Sequence, residues 1–494
     1  MNFIPKTTKN TGNYFCTWKA QSIVKSLRFA DKENFTTRDS MSEEFLFGEN
    51  GILNAFDGVR EDLIVVIDDG WDVPYGATPS SLFGSLELDE KRFPSFKGTP
   101  KEKLKALSDR VKQLGYKGLG LWVPAQSAAP ENVERNEENE RLFWEERMRW
   151  CNYADVLYLK VDWGIFSCNI EFRKMITESA RKFAPKLKIE HALFRQPLFE
   201  SHCENTEKIK EWSKQFVTEV LPYSDYLRTY DVAPEFRYSS TLSRVADCLQ
   251  TAQGIKGKCG ILNIEDTAVI GAALCCSIGV MRHEFETKCK NYKERIRDIS
   301  ETFCALRWQR IAPPVSANIG EVHIADELLK DVWHYPKNMN RAWPKVSEGE
   351  YWHTAPASIS RNMPLPIVES DGEKPFVVCS THPYNNALCI GIIPRVISGE
   401  LSFAPKAKIS VKDKDATAPI GVLGKFDTLI IEFDKPVEQN RIFAQNLLCD
   451  KAVEITDKVK TNKNQLILSG ELAFEIGKAE NSQNEMPAIL LKLV

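Results

Sequence analysis

Apolar residues over the first two thirds of the chain form short, nearly continuous runs. Between these runs lie stretches whose apolar positions recur three and four residues apart. Continuous short runs suit strands buried on both faces, and the longer period suits helices that bury one side. The strand-like runs are residues 14–18, 62–67, 117–123, 154–161, 186–192, 225–230 and 260–263, and the Pro-broken run 311–315 completes a set of eight. Residues 99–115 make the clearest helix. Thr99 is its cap, Pro100 takes the first helical position and Glu102 completes a capping box. Leu104, Leu107, Val111 and Leu114 line one face, and Gly115 stops it. Further helices are expected over 131–150, over 170–183 and through Ile299, Phe303 and Leu306. Strands alternating with helices predict an α/β fold, a (β/α)8 TIM barrel, over residues 1–345. The two glycines of KGLGLWV (117–123) read as packing inside a strand, not as a nucleotide loop.

Past a Trp- and Pro-rich seam at 343–366 the period shortens. Runs such as PFVVCST, NALCIGIIP, KISVKD, DTLIIEF, QLILSG, ELAFEI and AILLKLV alternate between turn residues, which predicts an antiparallel β-sandwich over 346–494. The 494 residues are ample for two such units. Lys and Arg total 65 against 68 Asp and Glu, a formal net charge of -3, so no basic excess asks for nucleic acid. The first residues lack the apolar centre of a signal peptide, and no run approaches the ~20 apolar residues of a membrane span, so a cytoplasmic, membrane-free protein is expected. The 13 Cys contain no CxxC pair and read as reduced, mostly buried thiols. The 7 His show no HxH or HxxxH spacing, so neither a metal centre nor a cofactor is expected.

Acids stand at the ends of four barrel strands: Asp68 and Asp69, Asp162, Asp231 and Asp266. The C-terminal ends of barrel strands meet at one rim, so these carboxylates converge whatever their distance in sequence. Each alone serves as readily to cap a helix. Together, without metal ligands, they suit sugar chemistry, in which one carboxylate attacks and another donates a proton. The stretch YLKVDWG (158–164) carries the central acid. Lys160, two residues before Asp162, points to the same side of the strand, where its charge would keep the carboxylate ionised as a nucleophile requires. Trp18, Trp71, Trp122 and Trp163 offer flat apolar walls for a sugar ring.

These pieces resemble the α-galactosidase clan of glycoside hydrolases, families 27 and 36. IDDGW (67–71), LKVDWG (159–164), RTYD (228–231) and NIEDTAVIG (263–271) carry the resemblance in the family's order, with LGYKGLGLWVP (114–124) beside them. It spans about residues 12–345. The resemblance implies a retaining double displacement on terminal α-linked galactose-like sugars, with Asp162 as nucleophile and Asp231 as acid/base. It also implies that Asp68 and Asp69 hold sugar hydroxyls and that Lys160, Arg228, Asp266 and Trp18 complete the contacts. Here Arg228 precedes Asp231 by three residues where family 27 usually has four, which leaves Glu235 as an alternative acid. Glu190, His191 and Arg195, in a segment that does not match the family, are candidates for the sugar's 2-position and serve as readily as packing residues. The partner expected is a small-molecule or oligosaccharide substrate; homo-oligomerisation is left open. A galactosyl-transferring enzyme of the same clan and a non-catalytic sugar-binding barrel are the alternatives.

Overall fold

The computed structural model describes residues 1–494 apart from 8–10, 29–34, 78–81, 130–135, 194–199, 201–205, 230–233, 266, 284–292, 338–346, 398–399, 403–405 and 479–485. Eight of the described strands close into a parallel barrel in chain order: β1 Tyr14–Cys16, β2 Ile64–Ile67, β3 Gly118–Val123, β4 Tyr158–Val161, β5 Lys188–Ala192, β6 Tyr226–Arg228, β7 Ile261–Glu265 and β8 Ser277–Val280. Strand residues alternate between two environments. Phe15, Val65, Leu121, Leu159, Ile189, Leu227, Leu262 and Ile278 face the helices and join the main apolar core. Tyr14, Cys16, Ile64, Val66, Trp122, Tyr158 and Tyr226 form a separate cluster inside the barrel. The glycines of β3 are packing residues, as expected. A Cβ at Gly120 would lie 2.8 Å from Val66 and 3.0 Å from Tyr158.

The helix Pro100–Gln113 carries the expected capping box, with Thr99 and Glu102 bonded to each other. Helix Ile170–Phe183 has the expected bounds. The eighth strand does not. Residues 311–315 follow the last barrel helix, Lys293–Gln309, and the barrel closes instead through Ser277–Val280, where Gly279 pairs with Tyr14. The crossover from β7 uses only the six-residue helix Ala268–Ala273, so the strand arrives one helix earlier than regular spacing predicts. Pro313 and Pro314 lack the N–H that a ladder position needs.

The C-terminal part stacks two sheets. The larger has the strand order Ala452–Glu454, Ile442–Asn446, Ala488–Leu493, Ile420–Leu423, Leu388–Ile393, Phe376–Thr381, Ser358–Arg361 and Val322–Ile324. The smaller runs Ile367–Ser370, Ala407–Asp413, Thr428–Phe433, Gln465–Ser469 and Lys460–Asn462, with a second apolar core between the sheets. Most pairs are antiparallel, with three parallel exceptions. Strand Val322–Ile324 belongs to this sandwich although it precedes residue 345. ELAFEI is not a strand. It lies in helix Gly470–Gly477, whose first turn is capped by Ser469, and its buried Leu472 and Ala473 fit a helical face.

Two features join the halves. The larger sheet packs on the last barrel helices, where Trp308 is fully buried against Gly421, and Arg361 donates to the carbonyls of Leu274, Ser316 and Ile319 at 2.6–2.8 Å. A hairpin, Leu328–Tyr335 with Gly349–Pro356, packs against barrel helix Arg237–Ala252. From it Tyr335 donates to Glu235 Oε2 at 2.6 Å, and His353 Nδ1 lies 2.9 Å from Glu200 Oε1.

A Cβ at Gly421 would sit 2.7 Å from the Trp308 ring. Gly421→Ala is therefore expected to destabilise the chain by about 1–3 kcal/mol. Gly372→Ala, with nothing within 4 Å, should stay within about 0.5 kcal/mol. Urea midpoints of the two variants check this.

Candidate active site

Asp162 directly follows β4, at the C-terminal mouth of the barrel, and is 9% exposed. Both of its carboxylate oxygens are held. Arg228 Nη2 donates to Oδ1 at 2.8 Å, and the Trp122 indole Nε1 donates to Oδ2 at 2.8 Å. Its main chain is fixed from outside the barrel. Arg173, on helix Ile170–Phe183, donates to the carbonyls of Val161 at 2.8 Å and Asp162 at 3.0 Å.

Lys160 shares the inward face but does not pair with Asp162. Two residues along a strand span ~6.5 Å, which keeps the ammonium one layer deeper. There it lies 3.1 Å from Asp68 Oδ2, 3.2 Å from Glu265 Oε1 and 3.2 Å from Cys16 Sγ. Burial opposes its charge, but Asp68 and Glu265 hold its pKa well above the usual lysine value. The cation on Asp162 is Arg228, which also bonds Glu265 Oε2 at 3.1 Å and lies 3.4 Å from Glu190 Oε1.

Glu265 is the residue that the sequence reading missed. Strand seven was expected to end at Asn263. It runs on to Glu265, and period-two alternation from Asn263 places this side chain inward beside Lys160, Arg228 and the Tyr14 hydroxyl, which donates to it at 2.7 Å. Burial raises the cost of its charge, yet Lys160 and Arg228 pull its pKa down to about 2. Glu190 is fully buried below the mouth and accepts from Tyr158 at 2.9 Å; burial pushes it up to about 7 against the pull of Arg228.

The Asp68–Asp69 corner closes one side. Cys16 donates its thiol to Asp68 Oδ2 at 3.0 Å, and the Asp69 amide donates to Asp68 Oδ1 at 2.8 Å. Asp69 pairs with Arg38 at 2.9 Å, although burial still carries its pKa to about 7. Arg38 comes from the turn Thr37–Ser40, which buried Arg92 fixes through Asp39 at 2.9 Å and the carbonyls of Arg38 and Met41. No periodic pattern announces such a turn, so Arg38 left no signal. Its guanidinium lies over Phe83, which packs on Trp163, and Trp163 on Trp122.

Three expected contacts have other surroundings. His191 alternates outward from Glu190, into the helix layer, where its ring nitrogens meet Arg173 and Thr177 at 3.4 and 2.9 Å; burial and Arg173 drive its pKa well below the usual histidine value. Trp71 is fully buried in the outer core, and its indole donates to the Trp122 carbonyl at 2.9 Å. Trp122 faces inward but is 1% exposed, so its ring is covered. Trp18 and Trp163 are partly buried beside the interior cluster. The candidates Arg195, Asp231 and Asp266 lie outside the described residues. Glu235, the alternative acid, is half-buried and accepts from Tyr335.

Inside the barrel, then, four carboxylates (Asp68, Asp162, Glu190 and Glu265) surround two cations, Lys160 and Arg228. An acceptor-rich floor of this kind suits a ligand with many hydroxyl donors. Among the described residues no cluster of three or more His, Cys, Asp or Glu is arranged to hold a metal ion, and no helix is long and apolar enough to cross a membrane.

No protein-family model matches the chain, and no curated protein matches it in sequence. Among solved structures it is similar to a GH27 β-L-arabinopyranosidase from Geobacillus stearothermophilus, at 11% identity and a TM-score of 0.40, over 99% of this chain and 96% of the other. It is also similar to an α-amylase from Geobacillus thermoleovorans, at 10% identity and a TM-score of 0.44, over 99% of both chains. Likeness at these values carries no functional weight, and the fold stands on its own strand pairing.

Proposed function

We propose that the chain is a retaining glycoside hydrolase of α-galactosidase type, acting on terminal α-linked galactose-like sugars. The observation that supports this best is Asp162. It stands at the end of a buried barrel strand with both oxygens held by N–H donors, beside the acid pair Asp68–Asp69. In this reading Asp162 attacks the anomeric carbon, and Asp231 protonates the leaving oxygen and then activates water. Asp68 and Asp69 receive the sugar's hydroxyls, Lys160 holds Asp68 from the layer below, and Arg228 orients the nucleophile. The motifs IDDGW, LKVDWG and RTYD support the same assignment.

The acids of the floor have protonation states of their own. In the unfolded chain Glu190 titrates near 4.5, and in the fold near 7, so between these values the folded chain holds a proton that the unfolded chain has lost. Stability therefore falls as pH rises across that window, and Asp69 acts in the same direction. Glu265 has the opposite sign. Its contribution is present above about 4.5 and is lost as pH falls toward about 2.

Two outcomes are expected. Against aryl α-galactoside, α-N-acetylgalactosaminide and β-L-arabinopyranoside, at least one substrate should be cleaved. Asp162→Asn should then lower kcat by several powers of ten, and Asp231→Asn by about 10²–10⁴-fold on substrates with poor leaving groups. Near-normal hydrolysis by Asp162→Asn would end this reading. Separately, Glu190→Gln should reduce the loss of stability between about pH 5 and about pH 7, leaving the share carried by Asp69, and should leave the loss at acid pH in place. Urea midpoints across that range measure it, and an unchanged neutral slope would assign the proton elsewhere.

A further inference from the structure

We infer that Trp122 is a positioning residue for Asp162, holding the carboxylate at one rotation through its indole N–H, with Trp71 holding Trp122 in turn. The inference rests on Asp162 being the nucleophile. An aspartate carboxylate turns easily about its last bond, because that torsion is broad and two-fold. Attack on a sugar carbon needs one oxygen at a fixed place, and misplacement of about 1 Å can cost ~10²-fold in rate. Arg228 alone does not secure this, since its guanidinium is divided among Asp162, Glu265 and Glu190.

The indole does one thing. Its nitrogen is a donor only, and its single N–H points at Asp162 Oδ2, 2.8 Å away. It carries no charge, so it fixes the carboxylate without adding a third cation to the floor. The ring has no room to swing. It is 1% exposed, Trp163 packs on it at 5.4 Å, and β3 is in register with β4 so that Trp122 lies opposite Lys160. The Asp162 amide also donates to Val123, the residue after Trp122, at 2.9 Å. Trp71 then ties the Trp122 main chain to the segment that carries Asp68 and Asp69, through its 2.9 Å bond to the Trp122 carbonyl. Two successive indole N–H bonds thus link the acid corner on β2 to the acid on β4. A covered ring cannot stack on a sugar, so the role proposed here acts on turnover and not on substrate affinity.

Trp122→Phe keeps a flat ring and removes the donor. On the best substrate of the aryl glycoside panel it is expected to lower kcat about ten- to hundredfold while KM stays within about threefold. If the phenylalanine variant does not fold, Trp122→3-benzothienylalanine keeps the shape without the N–H and should give the same split. The bond itself is read without substrate. In protein labelled with ¹⁵N-tryptophan, the Trp122 indole signal, identified by its loss in Trp122→Phe, should move in Asp162→Asn while indoles remote from the site stay in place. A signal that does not move overturns the inference. So does a folded variant lacking the N–H that keeps kcat within twofold while Asp162→Asn is inactive. Full activity in Asp162→Asn would instead overturn the hydrolase reading, and the indole signal would still report whether the bond exists.

Discussion

The structure depends on charges that the barrel has taken out of water. Lys160 and Arg228 are almost completely buried, and an isolated ion in such surroundings costs several kcal/mol. What makes their burial tolerable is that each meets more than one carboxylate: Lys160 meets Asp68 and Glu265, and Arg228 meets Asp162, Glu190 and Glu265. Tyr14 and Tyr158 add hydroxyl donors to the same acids. The barrel interior is thus filled near its mouth by a shared ionic layer and below by aromatic rings, with Gly120 and Gly279 making space for those rings. Removing Lys160 or Arg228 would leave buried carboxylates without their counter-charge, so the floor of the candidate site and the closure of the barrel are one problem in packing.

Much of this was legible in the chain. Continuous apolar runs located seven of the eight barrel strands because strands buried on both faces need them, and Asp68, Asp69 and Asp162 follow strands β2 and β4 at the mouth. The missing strand was hidden by an unusually short crossover, Ala268–Ala273, which breaks the spacing on which the count relied. ELAFEI was ambiguous for a different reason. In six residues, alternation and a single helical turn look alike, and the Ser469 cap decided between them.

At the site, alternation correctly put Lys160 and Asp162 on one face, but a shared face is not a contact. The rise along the strand sends the ammonium to Asp68 while the neighbouring strands supply Arg228 and Trp122 to Asp162. Alternation also separates Glu190 from His191: adjacent in sequence, one points into the ionic layer and the other to Arg173 and Thr177. Arg38 and Arg173 could not be found this way. They reach the site from a turn and from an outer helix, through distances in space that no local pattern encodes.

The hairpin that crosses from the sandwich to the barrel has a consequence for how this chain could change. Its Tyr335 and His353 reach Glu235 and Glu200, on the connections that follow β6 and β5 at the same mouth as Asp162. The last third of the polypeptide is therefore not an exchangeable appendage. Grafting a different module onto this barrel would strip those two connections of their hydroxyl and imidazole neighbours, so the two parts are constrained to be inherited and redesigned together.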